Sequence, residues 1–260
     1  MKTAKKITVP LLLVLLLSTG LAPAQIDGQI RDILQRFAAD YQNDPSFTDQ
    51  SFGVEVDKEM WEITASGNET AGKAVRVQKG SPDSPTFYYV TNLETLKLID
   101  QGSLNAMTAG VKAFSTDYAP LDIEVMEGFE PGQDFVGEVL AFTFHFWTRG
   151  IPEMIPFGPH YTRSTHGAQA AVFYYDKGLR TGYGYIHPGQ HANEHPKSKT
   201  NPFPSMMIVI KGKIVARLDG VDHTIEQGNA FFIPAGMSHE VLNPFDEAGE
   251  IILLMFGEGA

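Results

Sequence analysis

Histidine is the side chain with the widest chemical scope in this chain, which has eight of them and no cysteine. The absence of cysteine excludes disulfides, thiolate metal sites and thiol nucleophiles. His239 stands in the stretch Gly228 to Asn243, GNAFFIPAGMSHEVLN. Ala230 to Ile233 is a short apolar run without polar alternation and reads as a strand covered on both faces. Pro234-Ala235-Gly236 then reverses the chain, because proline fixes φ and removes a donor while glycine accepts whatever conformation the turn needs. In the strand that follows, the two-residue period puts His239, Val241 and Asn243 on one face and Glu240 and Leu242 on the other. The stretch thus aims an imidazole inward just past a rigid corner, where it can bind a metal or move a proton near neutral pH. Taken alone, it fits an ordinary hairpin with a solvated histidine equally well.

The spacing G-x5-P-x-G-x2-H-x3-N, carried by Gly228, Pro234, Gly236, His239 and Asn243, resembles the second sequence motif of the cupin family. The resemblance implies a small double-stranded β-barrel, or jelly roll, whose interior holds a metal or a small ligand. That family's first motif, G-x5-H-x-H followed by a glutamate and a glycine, supplies two further histidines and a carboxylate. Here Gly189 and His195 match, Lys197 stands at the second histidine and Ser205 at the glutamate, and Ser198 to Pro204 lengthens the segment. Two imidazoles hold a divalent ion poorly. His191 and Asn193 share a strand face with His195, so the metal-binding set the sequence offers is His191, His195 and His239, for iron, manganese, nickel or zinc. A charged Lys197 on that face would repel a cation by about 4 kcal/mol at 4 Å in an effective dielectric of 20. The competing expectation is a metal-free polar pocket in which His195, His239 and Lys197, with Ser205 and Asn243 nearby, hold an anionic or oxygen-rich ligand.

Several elements must position these residues. Lys2, Lys5 and Lys6 precede the apolar run Leu11 to Leu17, and Ala22-Pro23-Ala24 has the small-x-small form of a cleavage site. The apolar run is too short for a membrane span, so residues 1–24 read as a secretory signal peptide, which implies a secreted or periplasmic protein. Loss of the three lysines would take the formal charge from −11 to −14, a balance that opposes binding to nucleic acid or anionic lipid. About 235 residues remain, enough for one large domain or two ordinary ones.

The following residues read as an α+β domain over 25–132. Ile26, Ile30, Ile33, Leu34 and Phe37 recur at helical spacing. Strand-like pieces follow at Phe52 to Val56, Trp61 to Thr64, Ala74 to Gln78 and Thr86 to Val90. Thr91-Asn-Leu-Glu94 has the capping-box form and Gly102 the C-cap position, which predicts a helix over Leu93 to Gln101. The stretch Thr86 to Ala109, with Gly102, Leu104 and Asn105, resembles the strand–helix–Gly-x-Leu-Asn–helix segment of sterol-carrier-protein-type domains. That similarity implies a tunnel for a lipid-like or sterol-like molecule, lined by side chains such as Phe87, Tyr89, Leu96, Leu98, Ile99 and Met107. The family's Gly-Lys-rich strand after Ala109 is replaced here by VKAFSTDYAPLDIEVMEGF.

Glu127 to Asp134 reads as the boundary, and the all-β cupin barrel is expected over 133–260. Its first strand is placed at Phe142 to Trp147 by the alternation of Phe142, Phe144 and Phe146 with polar residues. Gly150 to Gly167, with His160 and His166, reads as a loop whose histidines are surface residues unless it forms a lid. Later strands are expected at Ala171 to Tyr175, Gly182 to His187, Met206 to Ile210, Ile214 to Leu218, Ala230 to Ile233, His239 to Asn243 and Ile251 to Phe256. Hairpin turns are expected at Asp176-Lys-Gly178 and Asp219-Gly220.

No nucleophile elbow, phosphate loop or dinucleotide fingerprint is present. The expectation is an exported small-molecule binding protein that combines an apolar-ligand module with a polar-ligand barrel, with or without a divalent metal. The alternatives are a metal-dependent cupin enzyme of dioxygenase, isomerase or lyase type, and a non-catalytic assembly scaffold. A homodimer is what analogy with cupins suggests.

Overall fold

A computed structural model describes residues 23–68, 72–149 and 154–260 of the chain. The expected signal stretch, except for Pro23 and Ala24, lies outside the described residues. The N-terminal region combines helices and strands. Helix α1 (Pro23–Tyr41) buries Ile30, Ile33, Leu34, Phe37 and Tyr41, the stripe expected of it. A meander of β1 (Gln50–Val56), β2 (Glu59–Asn68) and β3 (Gly72–Lys79) is followed by β4 (Phe87–Thr91), helix α2 (Leu93–Asp100), helix α3 (Ala106–Gly110) and β5 (Asp122–Val125).

These strands form one sheet in the order β3-β2-β1-β4-β5. The pairing of β1 with β4 is parallel, and the other pairings in this sheet are antiparallel. The cap of α2 is Asn92, whose side chain accepts from Thr95 N at 2.8 Å, rather than the neighbouring Thr91. Gly102, at φ +71°, ends the helix, and Asn105 caps α3 by accepting from Thr108 N at 3.2 Å. Phe87, Tyr89, Leu96 and Ile99 are buried in the core of this region. Met107 is buried in the contact with the C-terminal strands, and Leu98 is exposed. Apart from Leu98, the side chains expected to line a tunnel therefore fill space between elements.

Helix α4 (Phe135–Trp147) overturns the reading of Phe142 to Trp147 as a strand. Phe, Thr and His alternate there, but Phe135, Val139, Phe142 and Phe146 also recur at helical spacing, and the longer period wins. One side of α4 packs Val139, Phe146 and Trp147 into the N-terminal core. The other side packs Leu140, Ala141 and Phe144 against Val172, Tyr174 and Tyr175 of the C-terminal region. A helix with apolar surface on two sides belongs between two layers.

The C-terminal strands are β6 (Arg163–Thr165), β7 (Ala168–Asp176), β8 (Leu179–Ile186), β9 (His191–Ala192), β10 (Ser205–Lys211), β11 (Lys213–Leu218), β12 (Val221–Glu226), β13 (Ala230–Ile233), β14 (His239–Leu242) and β15 (Gly249–Phe256). Two sheets, β13-β10-β15-β8-β7-β6 and β12-β11-β14-β9, close over a core that includes Ile186, Ala192, Met207, Val209, Ile214, Val241 and Ile251. The expected strands fall on β7, β8, β10, β11, β13, β14 and β15, with His187 and Asn243 one residue beyond the ends of β8 and β14. The barrel begins at Arg163, and Asp219 and Gly220, both with positive φ, turn β11 into β12.

The two regions are joined by polar contacts as well as by α4. Arg163 Nη1 donates to the carbonyls of Thr108, Ala109 and Val111 at 3.1, 2.9 and 3.0 Å, and Nη2 donates to that of Tyr118 at 3.1 Å. Thr108 Oγ1 donates to Val172 O at 3.2 Å and accepts from Val172 N at 2.9 Å. Removing the guanidinium takes a donor from four carbonyls at once; Thr108 O and Ala109 O still accept from Val111 N and Leu121 N, whereas Val111 O and Tyr118 O lose this partner. Arg163→Ala is expected to lower stability by about 2–4 kcal/mol in urea unfolding; a loss under about 0.5 kcal/mol would mean that this seam carries no weight.

Candidate functional site

The β9–β14 pairing decides which histidines can meet. Ala192 lies opposite Val241 and His191 opposite Leu242. Val241 and Ala192 belong to the barrel core, so His239, two residues before Val241, shares the inward face, and His191 takes the outward one. Outside the barrel, His191 Nε2 meets Glu240 Oε2 at 2.7 Å, and Lys199 Nζ donates to Glu240 Oε1 at 2.9 Å. The Lys199 ammonium, helped by His191, holds Glu240 below the usual carboxylate range against the effect of its burial.

The shared strand face expected for His191, Asn193, His195 and Lys197 ends at Ala192. Asn193 adopts φ +60° and donates its backbone N–H to His166 O at 2.8 Å. His195 caps the 3-10 turn Pro196–Ser198, its Nδ1 accepting from Lys197 N at 3.2 Å. Lys197 is exposed. Ser205 is buried, and its Oγ has no hydrogen-bond partner among the described residues. His239 is 3% exposed, with Nδ1 3.2 Å from Met237 O. Asn243 is occupied as a structural pin: Nδ2 donates to Ile186 O and Glu247 O, and Oδ1 accepts from Phe245 N.

His191, His195 and His239 therefore do not gather around one point. Among the described residues no group of three or more His, Cys, Asp or Glu side chains is placed to hold a metal ion. The donor chemistry agrees: His191 is engaged by Glu240 on the far side of the sheet, and a neutral serine hydroxyl replaces a carboxylate. The residues present do not fit the divalent metal that the cupin resemblance implies.

What the fold does assemble is a cleft of about 330 Å³ lined by Ala113, Phe114, Asp117, His166, Gly167, His191, Glu194, His195 and Ser198. The N-terminal region supplies the first three of these residues. His166 and Gly167 form the two-residue β6–β7 turn, both at positive φ. Gly167 lies so close to β9 that an added Cβ would come within 2.5 Å of His191 O, so only glycine lets the turn seat His166 there. Phe114 packs edge-on against His195 at 4.6 Å and lies 6.5 Å from His166. Its backbone N donates to Asp117 Oδ2 at 3.0 Å.

Sequence reasoning made His166 a surface residue unless its loop formed a lid, and it assigned no role to Glu194, Phe114, Asp117 or Ser198. The one readable signal was His166-Gly167 as a hairpin dipeptide between short β-like runs.

Burial depresses the pKa of His166, reinforced by His239 and opposed by Asp117; burial likewise depresses that of His239, opposed by the Met237 carbonyl. Each is thus held neutral in the folded protein and charges more readily when unfolded. Stability is unaffected above the unfolded value of 6.5 and declines as pH falls below it. The melting temperature is expected to drop between pH 7 and 5.5, and the drop is expected to shrink in His239→Asn and His166→Asn. Equal drops in all three proteins would contradict this account.

Residues 183–255 match the family model described as the cupin domain. No curated protein matches the chain. Similar solved structures include a cupin 2 conserved barrel domain protein from Salinispora arenicola, 19% identical, with 40% of this chain and 88% of that one covered at a TM-score of 0.36. An RmlC-like cupin from Shewanella frigidimarina is 17% identical, with 38% of this chain and 87% of that one covered at a TM-score of 0.33. The C-terminal region of this chain, over 183–255, is a cupin β-barrel.

Proposed function

We propose that this is a small-molecule binding protein whose site is the cleft between loop 111–118 and the His166, His191 and His195 end of the barrel, and that it binds a polar ligand without a resident metal. The observation carrying this reading is His166: it lines the cleft, yet its Nδ1 is buried with no hydrogen-bond partner among the described residues. A buried imidazole nitrogen left unpaired costs free energy that a ligand hydroxyl or amine would restore. The volume falls at the small end of the range for ligand sites. A metal-dependent enzyme would need a ligand set that this register separates.

The apolar-ligand module is the weaker part of the reading. Its support is the order strand, helix, Gly102-x-Leu104-Asn105, helix, while its expected lining is buried packing. Export rests on residues 1–24 as a leader, and among the described residues no helix is long and apolar enough to cross a membrane. We place the boundary between the two domains within 148–162, after α4, because that helix contributes to the N-terminal core.

A thermal-shift screen of sugars, amines, carboxylates and divalent metal salts, followed by titration of the hits, tests the site. Hits are expected to weaken at least about tenfold in Phe114→Ala and in His166→Ala, equivalent to about 1.4 kcal/mol. Elemental analysis is expected to find less than stoichiometric metal. Stoichiometric metal lost in both His195→Ala and His239→Ala would overturn the proposal.

A further inference from the structure

The charge on the cleft walls narrows the ligand class. Two of the lining side chains carry formal charge, Asp117 and Glu194, and both are acidic; the lining contains no lysine or arginine. Of the cations flanking the cleft, Lys199 is committed to Glu240 at 2.9 Å and Lys112 to Asp122 at 2.7 Å, while Lys197 is exposed and lies off the lining. His191 Nδ1 lies 3.8 Å from Glu194 Oε1, and its Nε2 is engaged by Glu240. Asp117 is fixed by the Phe114 N–H in the loop that covers the cleft, so one carboxylate comes from each region of the chain. The Phe114 ring adds a π face at the same opening. Acidic groups alone would make only a solvated patch. Here they frame a cavity that is also lined by His166, whose Nδ1 has no hydrogen-bond partner among the described residues.

We propose that the cleft takes a small organic cation, an amine whose ammonium sits between Asp117 and Glu194 and whose hydrocarbon part lies against Phe114. The proposal rests on the reading of this cleft as the ligand site. Carboxylates accept ammonium N–H bonds directly, the neutral imidazole of His166 supplies a further acceptor, and an aromatic ring attracts a cation. A carboxylate or phosphate ligand would meet two like charges with no cation on the lining to offset them. The formal charge of −11 adds a favourable long-range field for a cation.

Isothermal titration of the whole protein with putrescine and choline as cationic probes, citrate as an anionic one, glucose as a neutral one and manganese(II) chloride as an inorganic cation separates the cases. At least one amine is expected to bind saturably, about three- to tenfold more weakly in each of Asp117→Asn and Glu194→Gln, and more weakly as salt is raised. Citrate is expected not to bind. Amine affinity untouched by both variants, or manganese binding through these carboxylates without amine binding, would overturn the proposal. Preferred binding of citrate or glucose that Phe114→Ala abolishes would overturn the ligand class and leave the cleft reading standing. No binding by any probe that depends on a cleft residue would count against both.

Discussion

The candidate site exists because two regions of the chain are held in one register against each other, and the contact that fixes this is the Arg163 guanidinium on the carbonyls of Thr108, Ala109, Val111 and Tyr118. Arg163 opens the first barrel strand, and those carbonyls belong to the short helix and loop that carry Phe114 and Asp117. Burial lowers the pKa of this arginine, yet a guanidinium stays charged in proteins, so the cost of desolvation is offset only while its donors remain paired. Helix α4 supports the same junction with apolar surface on both sides. Packing alone tolerates sliding, and the directional bonds of Arg163 and Thr108 oppose it. The roof over the barrel end is thus tied to the first barrel strand by directional bonds.

Much of the barrel was legible because its signals are local. Apolar runs, Asp-Gly and Lys-Gly turns and the spacing around Pro234 and Gly236 each depend on a few neighbouring residues, and they located seven strands. Strand β12, Val221-Asp-His-Thr-Ile-Glu226, is mostly exposed and carries too little apolar patterning to declare itself, although the Asp219-Gly220 turn implied a partner for β11. Helix α4 was misread because a phenylalanine-rich segment satisfies both periods, and only the presence of apolar layers on two sides decides between them.

The site was less legible, for a different reason. Whether His191 and His239 meet depends on strand register, and register is a relation between segments about fifty residues apart that no local pattern encodes. A shift of one residue in β9 against β14 would exchange Ala192 and His191 between the faces of the sheet. The pairing Ala192–Val241 keeps two small or branched apolar side chains inside and leaves His191 to Glu240. Apolar burial on the inner face and the His191–Glu240–Lys199 cluster on the outer face favour the same register. The assumption that failed was that the strand continued past Ala192, and the positive φ of Asn193 is what ends it.

That register also accounts for the altered ligand positions. With His191 outside, His195 displaced onto a 3-10 turn and a serine in place of a carboxylate, the barrel interior keeps His239 and Ser205 as its polar members on these segments, and His239 is held neutral by burial. A neutral interior requires no counter-charge, so the charged groups are free to act at the rim. There the 111–118 loop brings Asp117 to a cleft that Glu194 also lines, and Phe114 packs on His195. On the proposed reading, recognition that a metal-bearing barrel would centre on an ion lies instead at this cleft, whose shape depends on how firmly Arg163 holds the N-terminal loop in place.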